Sequence, residues 1–266
     1  MRFDKLVVVI TGGNSGIGRV MAMEFAGAGA ELWIAARSES RGNAVVEAIR
    51  SEGGRATFRS VDLANLEAVN QFALEVGAAH DQVDVVVNNA GAGESRLGGF
   101  DSAQSDMQSL QARWDQMVGS NFASAFWITT CLAPHLRSGG SVVNISSTAS
   151  IHGNYGLYGA MKAGLEGLTR SLAVDLSPKG IRVNAVSPGW IQTPATLTDP
   201  EDSQQAEWAA QTSLLGRMGA AEEISAAVQF LASEQASFIT GATLVVDGGL
   251  SIIDPTANVW RESVLT

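Results

Sequence analysis

Short runs of β-branched and other apolar residues alternate along the chain with longer stretches of helical pattern. The runs are Leu6–Thr11, Glu31–Ala36, Ala56–Val61, Val83–Asn88, Ser141–Ser146, Ile181–Ser187 and Thr243–Asp247. Several are apolar nearly throughout, as parallel strands covered on both faces are. Between them lie Gly16–Gly29, Ser40–Glu52, Asn65–Ala79, Met107–Leu136, Tyr155–Leu176 and Ala221–Ser233, each long enough for a crossover helix. This rhythm predicts an α/β fold, a doubly wound parallel sheet of seven strands with right-handed crossovers. No linker, repeat or shift in composition divides it, so residues 1–250 are read as a single domain and 251–266 as a tail.

Two regions break the rhythm. Residues 92–111 are rich in Gly, Ser and Gln, and residues 190–219 begin beside Pro188-Gly189 and contain Pro194 and Pro200. Both follow the carboxyl ends of strands, where open α/β sheets bind ligands, and long irregular connections in compact domains are usually binding loops or lids. They are expected to frame a substrate, with Pro194, Leu197 and Trp208 offering apolar contact. The tail carries Pro255, Trp260 and Val264. It reads as a frayed end, or as a segment that docks through Trp260 and Val264.

Composition narrows the function. Hydrophobic residues make up 45% and charged residues 17%, enough for a large core and little ground for disorder. A net charge of −10 disfavours nucleic acid, anionic membranes and acidic carrier proteins as main partners. The single cysteine, Cys131, excludes an intrachain disulfide and points to a reducing, cytoplasmic compartment. Leu6–Ile10 is too short an apolar run for a signal-peptide core or a membrane span. His80, His135 and His152 are scattered without metal-ligand spacing, so no catalytic metal is expected.

The chemistry begins at Thr11-Gly12-Gly13-Asn14-Ser15-Gly16-Ile17-Gly18, between the first strand and the first helix. Glycines there permit a tight turn and let backbone amides approach a pyrophosphate, with the helix N-terminus adding partial positive charge. In that context the cluster marks a dinucleotide site. Asp62, followed by Leu63, ends the third strand and suits either an adenine amino group or a helix N-cap. Asn88-Asn89-Ala90-Gly91 ends the fourth. At the second strand's end, Ala36 stands where NAD enzymes of this architecture usually place a carboxylate. Arg37 can pair with a 2′-phosphate through its planar fork, and Ser38 adds a hydroxyl. NADP(H) is therefore expected over NAD(H), although Glu39 lies nearby and Ser15, not a basic residue, precedes Gly16.

Asn144-Ile145-Ser146-Ser147 ends the fifth strand, and Tyr158 and Lys162 follow on the next helix, four apart and so on one face. A Lys ammonium beside a phenol favours phenolate, which would bring Tyr158 down from about 10 towards a working pH as a general acid or base. Ser147 is placed to hydrogen-bond a substrate oxygen.

In this order, T-G-x-x-x-G-x-G, N-N-A-G, the strand-end Ser, Y-x-x-x-K and P-G-x-x-x-T resemble the classical short-chain dehydrogenase/reductase family, from Leu6 to about Gly249. The resemblance implies a Rossmann-type fold and a catalytic set of Asn121, Ser147, Tyr158 and Lys162. Asn121 would kink its helix and hold a water linking Lys162 to solvent. Lys162 would also hold the nicotinamide ribose. Pro188, Gly189, Ile191 and Thr193 would meet the carboxamide. The activity implied is hydride transfer between NADP(H) and a secondary alcohol or ketone, by a homotetramer built on the helices of Met107–Leu136 and Tyr155–Leu176. Two alternatives stand beside it: a 3-oxoacyl-[acyl-carrier-protein] reductase and a non-catalytic NADP-binding sensor. The pattern is departed from twice. Gly91 to Asn121 is longer than usual, and Ser147 to Tyr158 is slightly short, which leaves Ser146 open as the catalytic serine. Both departures fall around the substrate pocket, so no substrate is carried over.

Overall fold

The computed structural model describes residues 2–93, 106–193, 207 and 211–252. Pro194, Leu197, Trp208, most of the 92–111 region and the tail beyond Ile252 lie outside the described residues. Seven strands are present: β1 (Val7–Thr11), β2 (Glu31–Ala36), β3 (Arg55–Ser60), β4 (Val83–Asn88), β5 (Leu136–Ile145), β6 (Arg182–Pro188) and β7 (Thr243–Val246). They form one sheet in the order β3-β2-β1-β4-β5-β6-β7, and every pairing is parallel. The direction of winding reverses between β1 and β4, where open sheets of this kind leave a crevice at their carboxyl ends.

Among the described residues the helices include α1 (Gly16–Gly27), α2 (Glu39–Ser51), α3 (Leu66–Ala79), α4 (Met107–Val118), α5 (Ser124–Leu132), α6 (Gly156–Leu176) and α7 (Ala221–Ala232). They cover the two faces of the sheet because strand side chains alternate. Along β1, Val8 and Ile10 face a layer built on α1, α2 and α7, with Met21, Phe25, Ile49, Val228 and Leu231. Val7 and Val9 face the other layer, on α3, α5 and α6, with Phe72, Val76, Ile128, Leu132 and Leu172. All five residues of β1 are buried, which accounts for its continuous apolar run. Local signals set several starts: the Asn65 side chain accepts from Ala68 N at 3.1 Å to begin α3, and Asp106 accepts from Ser109 N at 2.7 Å to begin α4.

The structure differs from the sequence expectation around Met107–Leu136. That stretch is α4, a five-residue π-helical turn at Gly119–Ala123, and α5, which stops at Leu132. β5 then starts at Leu136 rather than Ser141, and its pairing with β4 shifts register between Val83 and Val85. The irregular half of β5 contains Gly139, whose φ of +77° an ordinary residue resists.

Candidate active site

The switch point opens into a cleft of about 710 Å³ across the carboxyl ends of six strands. Every residue read from the sequence as cofactor-binding lines it. Gly12, Asn14, Ser15, Gly16, Ile17 and Gly18 follow β1, Arg37 and Ser38 follow β2, and Asp62 and Leu63 follow β3. Asn89, Ala90 and Gly91 follow β4, Tyr158 and Lys162 project from α6, and Pro188, Gly189, Ile191 and Thr193 close the end of β6.

The glycine loop is stitched to its neighbours. Thr11 Oγ1 accepts from the amides of Asn89 and Ala90, both at 3.0 Å. Asn89 Nδ2 donates back to the carbonyls of Thr11 at 3.0 Å and Gly12 at 3.2 Å. Asn14 Nδ2 reaches Ser38 O at 3.3 Å, tying the loop to the end of β2. A Cβ on Gly18 would run into the Gly12 carbonyl oxygen and Asn89 Nδ2, so only glycine lets α1 begin this close to the turn. Asp62 is not the N-cap of α3. Asn65 takes that role, and the Asp62 carboxylate accepts from Ala64 N at 3.1 Å.

At the other end of the cleft, Ser147, Tyr158 and Lys162 come together. Tyr158 is partly buried, and loss of water pushes its phenol above the usual range, opposed by a hydrogen bond with the Ser147 side chain. This differs from the expected lowering by Lys162. The reason is that the Lys162 ammonium stands 5.7 Å from the ring centroid and is itself fully buried, which drops it from 10.5 to about 8. Lys162 Nζ donates to Ile145 O at 2.8 Å, in the strand that leads to Ser147. Ser146 turns away from the cleft's reacting end: its hydroxyl donates to Glu166 at 2.8 Å and to Lys162 O at 3.3 Å. Of the two serines, Ser147 is therefore the one that meets Tyr158.

Asn121 sits inside the π-helical turn, buried behind the cleft rather than lining it. Its Oδ1 accepts from Ala92 N and its Nδ2 donates to Ala92 O, both at 3.1 Å. A Cβ on Gly91 would lie 2.8 Å from Asn121 Oδ1 and 3.3 Å from Lys162 Nζ, so glycine there lets the two side chains approach the same point of the main chain.

Other lining residues were not foreseen. Tyr155 stands one turn before Tyr158, half-buried, and its charge would raise the Tyr158 phenol further. The i, i+3 spacing on one helix was the available signal. Arg41, four residues beyond Arg37, lines the same corner, while Asn154 and Trp190 line the cleft from the loops after β5 and β6. Among the described residues no cluster of three or more His, Cys, Asp or Glu is arranged to hold a metal, and no helix is long and apolar enough to cross a membrane.

A parallel seven-stranded sheet with a glycine-loop cleft and a Ser–Tyr–Lys group defines a nucleotide-dependent oxidoreductase. The family model described as enoyl-(acyl carrier protein) reductase matches residues 12–251. The chain is 33% identical over 256 residues to the 3-oxoacyl-[acyl-carrier-protein] reductase FabG of Thermotoga maritima, covering 95% of this chain and 100% of that protein. Among solved structures, a short-chain dehydrogenase of Burkholderia cenocepacia in complex with NADP superposes with a TM-score of 0.84 at 30% identity, covering 94% of this chain and 99% of that one. A 3-oxoacyl-[acyl-carrier protein] reductase of Brucella melitensis with bound NAD gives 0.81 at 28% identity, over 94% and 92%. The chain belongs to the short-chain dehydrogenase/reductase family, and it is an NAD(P)-dependent oxidoreductase.

Proposed function

We propose that this enzyme reduces a ketone to a secondary alcohol, or runs the reverse, with NADP(H), and that Tyr158 is the residue that gives or takes the proton. The observation that carries this reading is the meeting of Ser147, Tyr158 and Lys162 at one end of a cleft whose other end presents Arg37 and Arg41. The residues fit a dinucleotide. The glycine loop is bonded to Asn89 at the end of β4, and Ser15, Gly16, Ile17 and Gly18 at the N-terminus of α1 line the cleft, where a helix start favours phosphate. When bound, the nicotinamide supplies the hydride.

The chain's own groups manage the proton. Tyr158 protonates the carbonyl oxygen as it gains charge, and Ser147 donates a hydrogen bond to that oxygen. Lys162, lowered to about 8, holds a proton that it can pass towards Tyr158 near neutral pH. Asn121 fixes the Gly91–Ala92 main chain beside Lys162. Arg37, with Ser38, would hold the 2′-phosphate of a bound NADP(H). The enzyme works as a homotetramer.

Tyr158→Phe keeps the ring and removes the proton. Turnover of NADPH against a panel of acetoacetyl-coenzyme A, a cyclic ketone, a ketose and a 3-oxosteroid is expected to fall by about 10³-fold, within the usual range for a lost general acid. Cofactor affinity by fluorescence titration is expected to stay close to wild type. Substantial turnover in the variant would sink the assignment. The likeness to carrier-protein reductases favours a second reading, reduction of a 3-oxoacyl thioester. A kcat/KM for acetoacetyl-coenzyme A well above those of the other three ketones would establish that preference.

A further inference from the structure

Three consecutive residues at the end of β5 each fasten α6. Asn144 Nδ2 donates to Thr169 Oγ1 at 2.9 Å, Ile145 O accepts from Lys162 Nζ at 2.8 Å, and Ser146 Oγ donates to Glu166 Oε1 at 2.8 Å. Beyond Ser147 the chain makes a single helical turn, Thr148–Ser150, and Ser150 Oγ donates to the same Glu166 oxygen at 2.7 Å. One carboxylate oxygen therefore gathers the hydroxyls on both sides of Ser147. Glu166 lies one helical turn from Lys162, which lies one turn from Tyr158, so the carboxylate and the phenol ride on the same rigid helix. Apart from its meeting with Tyr158, Ser147 is held by local bonds: its Oγ accepts from Ala149 N at 3.2 Å and its carbonyl from Ser150 N at 2.9 Å.

We propose that Glu166 is a positioning residue of the reaction: by holding Ser146 and Ser150 to α6 it sets Ser147 against Tyr158. The inference rests on the functional reading above. It gives Glu166 a task that neither substrate nor cofactor contact would reveal, since Glu166 acts through the two serines. Two hydrogen bonds on one oxygen fix a hinge-like segment from both ends. Without them the Ser147 loop keeps its fold but not its register against the phenol. Displacements of about 1 Å at a reacting group cost on the order of 100-fold in rate.

The test uses Glu166→Leu, Glu166→Gln and Tyr158→Phe in the full chain. The chain contains two tyrosines, so near-ultraviolet phenolate absorbance reads Tyr155 and Tyr158, and Tyr158→Phe separates them. In Glu166→Leu the Tyr158 phenol is expected to titrate about 1 pH unit higher than in wild type, having lost its Ser147 partner. With NADPH and acetoacetyl-coenzyme A, or the best ketone of the panel above, kcat is expected to fall by about 100-fold while KM for NADPH holds. Glu166→Gln keeps a carbonyl oxygen that accepts two hydrogen bonds, and it is expected to restore both readouts. Should Glu166→Leu not fold, Ser150→Ala carries the same test with a smaller change in the same direction. An unmoved phenol titration with Tyr158→Phe inactive overturns the positioning role alone. Failure of Glu166→Gln to rescue overturns it too. Turnover surviving Tyr158→Phe brings down the functional reading and this role with it.

Discussion

Burying Lys162 sets a cost against a function. Its ammonium is lowered from 10.5 to about 8 by loss of water, and the bond to Ile145 O does not cancel that loss. The folded chain thus gives up this proton at a lower pH than the unfolded chain does. Between about pH 8 and 10 the unfolded state binds more protons, so the contribution of Lys162 to stability rises with pH there. Below pH 8 the full penalty is present, on the order of 3 kcal/mol. Urea unfolding of Lys162→Met is expected to show a gain over wild type near neutral pH that shrinks towards about pH 10. A gain independent of pH would show that packing, not charge, is responsible. A second residue-scale contrast lies at the end of β2. Ala36 is buried at the cleft wall and Arg37 is exposed beside it. The ratio of kcat/KM for NADPH over NADH is expected to exceed one in wild type and to fall in Ala36→Asp, whose carboxylate repels a 2′-phosphate. A wild type that prefers NADH would show that Arg37 and Ser38 do not select a 2′-phosphate.

At the scale of elements, the turn between β1 and α1 is the tightest joint in the site. Gly18→Ala sets a methyl against the Gly12 carbonyl and Asn89, and backbone cannot yield as a flexible side chain does. Overpacking of this kind costs about 1–3 kcal/mol. Denaturant midpoint and cofactor affinity are both expected to drop in that variant, and a change in neither would count against the close fit. These elements also show what a sequence discloses. The β-branched runs and the glycine turn carry their own local signals, so β1, α1 and β2 were legible nearly to the residue. The meeting of Ser147 with Tyr158 and Lys162 was legible from order and from i, i+4 spacing. The break of Met107–Leu136 at the π-helical turn was foreseeable only as a kink implied by resemblance. The early start of β5 was hidden, because Arg137–Gly140 has no apolar alternation. Glu166 carried no signal: a carboxylate on a helix is ordinarily solvated, and only the fold brings Ser146 and Ser150 to it.

For the whole molecule, two groups among the exposed apolar side chains of the described residues bear on assembly. Trp114, Phe126 and Val174 are exposed on α4, α5 and α6, and Phe238, Leu244 and Val245 are exposed at the β7 edge of the sheet. The proposed tetramer, if closed by two-fold symmetry, would need two kinds of contact, for which these two groups are candidates. Light scattering at micromolar concentration is expected to return four times the 27.7 kDa chain mass. A monomeric mass would remove the claim, and charged substitution at Phe126 and at Val245 would separate the two faces if it holds.

The sheet order also governs how the chain comes off the ribosome. β1 pairs with β2 and β2 with β3, all within the first stretch to be made, but the other edge of β1 waits for β4, which begins at Val83. A nascent chain can close its first three strands under α1 and α2 while the future centre of the molecule is still a bare margin. That margin is Val7–Thr11, buried throughout in the finished protein, and its peptide groups are a template for pairing with another chain. Translation at roughly 5–20 residues per second leaves it open for seconds. A strand that is wholly buried in the finished protein is thus one that is open at one edge until α3 and β4 have been made.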